Sequence, residues 1–183
     1  MNFVKLKNKF YINDYTIKSL IVSYGTRIDD NTFKGISYSN IELDNKDDIF
    51  NLIPDRFKKY FMIGIMEVTH KIPPHTDSKV LSTINIYINT ENCQTQFYEF
   101  KDQVVEKSQL ENQTTGFIFK TENLDPTDNF IAEPNEAYLL NVSKPHAVIP
   151  QEDLSIYRVA IVLQSAKFSF DEVLEMLKET DNI

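Results

Sequence analysis

Two short stretches of this chain hold residues able to do metal chemistry. One is Pro73-Pro74-His75-Thr76-Asp77; the other runs from His146 to Arg158. His75 and Asp77 are two residues apart, so in extended backbone both project from one face and Thr76 turns away. An imidazole and a carboxylate so spaced reach one metal ion without bending the chain. Pro73 and Pro74 stiffen the approach and donate no backbone hydrogen bond, which suits a segment at a barrel mouth better than one inside a ladder. His146 follows Pro145, far enough along for several strands to return the chain to the same place. Two imidazoles and one carboxylate on a β-rich frame suit iron(II), held on one face with open positions opposite.

Arg158 lies twelve residues beyond His146, in a stretch that alternates. Ile156, Arg158, Ala160 and Val162 share one face; Tyr157, Val159, Ile161 and Leu163 share the other. A guanidinium within an apolar strand is costly unless an anion answers it. That anion is either a protein carboxylate, such as Glu67 or Glu99, or a ligand. His70 is the remaining histidine, read as a strand-end or rim residue or as a ligand in another metal geometry. Cys93 reads as inert.

The elements that must position these residues are mostly strands. The clearest is Val80–Asn89, where Thr83, Asn85, Tyr87 and Asn89 share one face and Ile84, Ile86 and Ile88 the other. The polar face looks either into a ligand-lined cavity or into solvent. Further strands are expected over residues 3–12, 35–43, 61–69, 95–100, 116–120, 130–132, 137–141, 147–149 and 156–164. The polar segments 101–115 and 121–129 read as rim loops that would select a substrate. Helical spacing of Ile17, Leu20, Ile21 and Tyr24 suggests a short helix after Asn13 or Asp14, against the β-branched content there. A helical patch is expected around Ile49, Phe50 and Leu52, and Pro54 opens a short turn over residues 55–59. Ser169 caps a helix over Phe170–Glu179, with Val173, Leu174 and Leu177 as its apolar stripe. Many short strands without strand–helix alternation predict a sandwich or barrel.

At 183 residues the chain is expected to be one domain, 1–183. Its 42% apolar and 25% charged residues are a globular balance. A formal net charge of −8 disfavours phosphate-driven nucleic-acid binding. The single cysteine excludes an intrachain disulfide and favours a reducing compartment. No run reads as a signal peptide or a membrane span, so the cytoplasm is the expected location, with no membrane partner.

Taken in order, His75-Thr76-Asp77, Thr83-Ile84-Asn85-Ile86-Tyr87-Ile88-Asn89, Thr95-Gln96-Phe97, Lys144-Pro145-His146 and Tyr157-Arg158-Val159 resemble the iron(II)/2-oxoglutarate-dependent oxygenases. The nearest look is to the prolyl-hydroxylase-like branch, over about residues 60–165. The resemblance implies a mainly β fold with flanking helices: a double-stranded β-helix (jelly roll, cupin-like) with helices packed on one sheet. It implies His75, Asp77 and His146 as Fe(II) ligands and Arg158 as partner of the distal carboxylate of 2-oxoglutarate. Tyr87 would sit near that carboxylate, and Thr83 and Asn85 on the same co-substrate wall; Tyr87 reads equally as a core aromatic. No catalytic residue beyond the metal ligands is expected. The implied reaction uses 2-oxoglutarate and O₂ to hydroxylate a C–H bond of a peptidyl or free amino-acid side chain, or of a small metabolite, releasing succinate and CO₂. The competing readings are a non-catalytic jelly-roll binding protein and a metal-dependent cupin-type enzyme that uses no 2-oxo acid.

Four departures from the branch stand out. Cys93-Gln94 replace a Gly-Gly pair, so that turn must differ. Ala160 stands where a Ser or Thr is common, which removes a hydrogen bond. The interval from His146 to Arg158 is long, implying a larger loop at 151–153, and Ile65 or Met66 replaces an upstream tyrosine.

Overall fold

The computed structural model of the chain describes residues 1–11, 28–29, 35–41, 49–77, 79–101, 107–109, 116–152 and 155–183. Thirteen strands run in chain order among these residues. They are β1 (Phe3–Lys5), β2 (Ile28–Asp29), β3 (Ile36–Asn40), β4 (Phe61–Val68), β5 (Ile72–Thr76), β6 (Ser82–Glu91), β7 (Cys93–Phe100), β8 (Lys107–Gln109), β9 (Phe117–Phe119), β10 (Leu124–Phe130), β11 (Ala137–Leu140), β12 (His146–Pro150) and β13 (Tyr157–Ser165). Helix α1 (Asp55–Lys58) precedes β4, a 3₁₀ turn at Thr121–Asn123 precedes β10, and α2 (Phe170–Glu179) follows β13. A seven-stranded sheet has the order β1-β11-β6-β13-β4-β3-β2, and a six-stranded sheet the order β10-β7-β12-β5-β9-β8. Every strand pairing among the described residues is antiparallel. Among the described residues no helix is long and apolar enough to cross a membrane.

Alternation on two central strands divides the interior in two. Ile84, Ile86, Val159, Ile161 and Leu163 face away from the small sheet, into a cluster that also holds Phe170, Val173, Met176 and Leu177 of α2. Each fully buried side chain of this kind contributes about 1.5–3 kcal/mol relative to exposure. A one-residue slip of β6 would trade three isoleucines for Thr83, Asn85 and Tyr87, so that cluster pins its register. The opposite faces of β6 and β13 supply Tyr87, Ala160 and Val162, which pack on Phe97 and Phe130 of the small sheet. Ile36 and Val68 meet Ile72, Cys93 and Val148 across the same gap. The polar face of β6 is thus turned inward between the sheets, with Thr83 and Asn85 buried.

Helix α2 starts at Ser169 in a capping box: Ser169 Oγ accepts from the Glu172 N–H, and Glu172 accepts from the Ser169 N–H at 2.8 Å. Its bounds match the sequence expectation; the short helix after Pro54 ends at Lys58, with the expected last residue, Lys59, as its C-cap.

Several expected elements differ. The first strand ends at Lys5; beyond it the chain is tied by single bonds, Lys7 N–H to Asn182 O and Phe10 N–H to Asn135 O, and forms no ladder. The expected helix near residues 14–24 lies outside the described residues. Segment 121–129 is not a rim loop but mostly β10, which among the described residues is an edge strand pairing only with β7. Its interior, Asp125 to Asn129, is exposed, which is why its polar sequence with Pro126 looks like a loop. Lys107–Gln109, in the other expected loop, is the edge strand β8. Strand β5, which holds Pro73-Pro74, runs between β12 and β9 in the small sheet, but its pairing with β9 begins only at His75 and neither proline is in register with a neighbour. Its register with β12 jumps from His75–His146 to Ile72–Val148, so a bulge absorbs the two residues that cannot donate.

Candidate active site

The topology brings the two distant pieces of sequence side by side. His75 on β5 is the direct register partner of His146 on β12, and their ring centroids lie 4.4 Å apart. Asp77 follows the end of β5, where its backbone N–H donates to Val142 O at 3.0 Å. Its Oδ1 stands 3.4 Å from Nε2 of His75 and 3.4 Å from Nε2 of His146. One ligand atom from each of the three residues falls within 4.8 Å of the others. Donors 2.0–2.2 Å from a common ion are roughly 3–3.5 Å apart, so the spacing fits one divalent ion.

Both imidazoles are oriented from behind. His75 Nδ1 lies 2.9 Å from Pro73 O, and His146 Nδ1 lies 3.0 Å from Lys144 O. A carbonyl only accepts, so each Nδ1 carries a proton, and in a neutral ring Nε2 is then the nitrogen left to bind a metal beside Asp77. Phe97 packs on His146 at 5.8 Å between centroids and restricts its tilt. Burial opposes ionisation of Asp77, yet its contacts with His146 and His75 outweigh that and hold its carboxyl well below the usual range. For His146, burial disfavours the cation; the hydrogen bond and charge of Asp77 overcome it, and the pKa is raised. Without a metal Asp77 and His146 pair as ions. With neutral imidazoles and an ionised carboxylate the three residues are a ligand set that fits iron(II).

The trio lines a cavity of about 230 Å³ between the sheets. Met66, Ile72, Leu140, Val142, Val148 and Val162 form much of its wall. Thr83, Asn85, Gln164 and Arg158 add polar groups from the seven-stranded sheet, and Thr95 another from the small one. Thr83 donates to Asn85 Oδ1 at 2.9 Å, which fixes the turn of the Asn85 amide.

Arg158 is 2% exposed. Its Nε donates to Cys93 Sγ at 3.3 Å and its Nη1 to Thr95 Oγ1 at 3.0 Å. The guanidinium carbon sits 5.2 Å from the centre of the Tyr87 ring. Nη2 is buried with no hydrogen-bond partner among the described residues. Among the described residues no carboxylate pairs with Arg158. Glu67 is the register partner of Val159, not of Arg158, and so belongs to the other face of the sheet. Glu99 is on an exposed part of β7. A buried charged donor left unpaired costs on the order of 1–3 kcal/mol or more, so this wall of the cavity is primed for an anion.

No protein-family model matches the sequence, and no curated protein matches it. Solved structures do resemble the fold. An oxidoreductase of the 2OG-Fe(II) oxygenase family from Burkholderia pseudomallei superposes with a TM-score of 0.46 at 11% identity, over 90% of this chain and 84% of that one. The non-heme alpha-ketoglutarate-dependent epimerase SnoN of nogalamycin biosynthesis gives 0.48 at 8% identity, over 92% and 83%. Vicilin from hazelnut, Corylus avellana, gives 0.40 at 9% identity over 80% of this chain, which spans about a third (32%) of the vicilin chain.

Of the residues singled out from sequence, His75, Asp77, His146, Arg158, Thr83 and Asn85 all line the cavity. Tyr87 does not. It is fully buried, with its ring beside Arg158 and its hydroxyl 3.4 Å from Asn85 Nδ2. His70 is exposed beyond the end of β4, its Nδ1 2.9 Å from Thr69 Oγ1, and is not part of the trio. Cys93 is not inert in the sense the sequence suggests: it touches Arg158, a contact that no pattern reports, since a buried cysteine reads as a small hydrophobe. Gln164 was missed as a lining residue, although the alternation that places Arg158 inward places Gln164 inward too.

Proposed function

We propose that this chain is an iron(II)- and 2-oxoglutarate-dependent oxygenase. It hydroxylates a C–H bond of a peptidyl or free amino-acid side chain, or of a small metabolite, with release of succinate and CO₂. One observation carries the reading: a two-histidine, one-carboxylate cluster shares a cavity with a buried guanidinium that pairs with no carboxylate among the described residues. A metal site alone would suit many chemistries. The second feature asks for a ligand with an anionic end near the metal.

His75, Asp77 and His146 would hold the ion, their orientation fixed by Pro73 O, Lys144 O and the Asp77–Val142 bond. Bound iron(II) would supply the redox chemistry that couples decarboxylation of the oxo acid to oxidation of a C–H bond. Arg158 would hold the far carboxylate. Thr95, which supports it, pairs with Val148, two residues along β12 from His146, or roughly 7 Å along the strand. That separation suits a short dicarboxylic acid bridging the two features. Thr83 and Asn85 offer neutral hydrogen bonds along the same wall, and Tyr87 backs the guanidinium from outside the lining. The apolar lining keeps water from the anchor and strengthens its hold on a carboxylate. In architecture the reading corresponds to a double-stranded β-helix in a single domain, with α2 on the outer face of the seven-stranded sheet. The shared burial of Val173 and Leu177 with Ile84 and Ile86 supports that placement.

The direct test is succinate formation from 2-oxoglutarate in the presence of Fe(II), ascorbate and air. Turnover that needs Fe(II) and is lost in His146→Ala supports the proposal; no succinate above the metal-free control in any condition overturns it.

A further inference from the structure

We infer that Cys93 is a positioning residue for Arg158, deciding which edge of the guanidinium meets a carboxylate. The inference rests on the reading of Arg158 as the anchor of the oxo acid's far end. A guanidinium offers a carboxylate two forks, one from Nε with a neighbouring Nη and one from the two Nη groups. Cys93 is fully buried, and its Sγ takes the Nε–H at 3.3 Å, which closes the first fork. Thr95 Oγ1 takes one N–H of Nη1 at 3.0 Å, and Nη2 keeps both of its own. What remains for an anion is the end of the group, centred on Nη2.

The chemistry of the acceptor matters as much as its place. A carboxylate beside Nε would hold the group equally well, but it would cancel the charge a ligand must find. A thiol is a weak, neutral acceptor, so it fixes orientation and leaves the cation intact. The backbone places it deliberately. Asn92, at φ 54°, turns the chain directly from β6 into β7, and Cys93 is the first residue of β7, registered against Pro150 of β12. Both side-chain hydrogen bonds to the guanidinium therefore come from β7. The bland account is that Cys93 merely fills space beside Ile72 and Val148, with which it clusters.

The two accounts differ in what a substitution changes. The full chain, loaded with Mn(II), is titrated with 2-oxoglutarate and with 2-oxobutyrate, which shares the chelating end but lacks the second carboxylate. Wild type should bind the dicarboxylic acid much more tightly. Cys93→Ala should weaken 2-oxoglutarate binding about three- to tenfold, the loss of one modest hydrogen bond, and leave 2-oxobutyrate and Mn(II) affinities within about twofold. Cys93→Ser, which restores an acceptor of smaller size, should recover most of the loss. Equal weakening of both acids, no weakening of either, or a Ser variant that behaves as Ala would overturn the inference. Wild type that does not distinguish the two acids would instead remove the Arg158 reading beneath it.

Discussion

Replacing Arg158 by methionine separates the cost of the guanidinium from its use. In the ligand-free protein the group makes two hydrogen bonds, to Cys93 and Thr95, and leaves Nη2 buried and unpaired. Two such bonds contribute about 1–3 kcal/mol together, and the orphaned donor costs a similar amount. Methionine has nearly the same reach and no charge to bury. The variant should therefore keep its stability within about 1 kcal/mol, or about 2–4 °C in melting temperature for a chain of this length. Binding of 2-oxoglutarate is another matter. Removing one partner of a buried charge pair costs about 2–5 kcal/mol, which is about thirty- to several-thousand-fold in affinity. Calorimetric titration of the Mn(II)-loaded proteins measures this, with a differential melting curve on the same samples. A variant that binds 2-oxoglutarate within about threefold of wild type would refute the anchor. So would a collapse in melting temperature by more than about 10 °C, because it would make the arginine a structural residue and not a receptor.

Further outcomes can be checked on the same protein. In the metal-free chain, the lowered pKa of Asp77 gives stability that is complete above the ordinary carboxylate range and lost as pH falls through its depressed value. The raised pKa of His146 gives stability that is complete below the ordinary imidazole range and lost as pH rises through its elevated value. The melting-temperature difference between wild type and His146→Gln should thus be largest between about pH 4 and 6.5 and shrink toward pH 9; a difference that grows with pH would contradict the pairing. Metal affinity should run the other way, rising as His146 loses its proton, as a Mn(II) titration at pH 6 and pH 8.5 would reveal. Ser169→Ala removes the capping box of α2 and should cost about 1 kcal/mol in a denaturant melt, with succinate formation unchanged at a temperature where both proteins are folded.

How far the sequence alone reached depended on the kind of signal. The trio was legible because its spacing rule is local: His75 and Asp77 share a face at a separation of two, and His146 needed only a strand to bring it back. Arg158 was legible by contrast, a charge among Ile156, Ala160 and Val162. The sequence left the face of Thr83 and Asn85 open between cavity and solvent, because isoleucines on the other face of β6 fit either; burial of both faces between the sheet and its neighbours decides it. Edge strands were not legible. The interior of β10, Asp125 to Asn129, is exposed, so no alternation reports it; only Leu124 and Phe130 at its ends are buried. Nor was the course of β5, because Pro73-Pro74 mask as a strand end a stretch that a bulge carries through the sheet between Ile72 and His75. Cys93 shows a further limit. Pattern reasoning assigns a residue to inside or outside, whereas this role depends on which side chain from another strand arrives at 3.3 Å. Tyr87 is the converse, correctly placed on the inward face and yet covered by Phe130 and Tyr138, with ring centroids at 6.1 and 5.9 Å.

The most direct measurement is anaerobic titration of the protein with Fe(II), followed by 2-oxoglutarate, watching for the visible charge-transfer band of an iron(II)-chelated 2-oxo acid. One iron and one 2-oxoglutarate per chain are expected, with the band absent in His146→Ala and Asp77→Ala and needing far more 2-oxoglutarate in Arg158→Met. A protein that binds no iron at His75, Asp77 and His146, or that forms the band equally well without Arg158, would contradict the account.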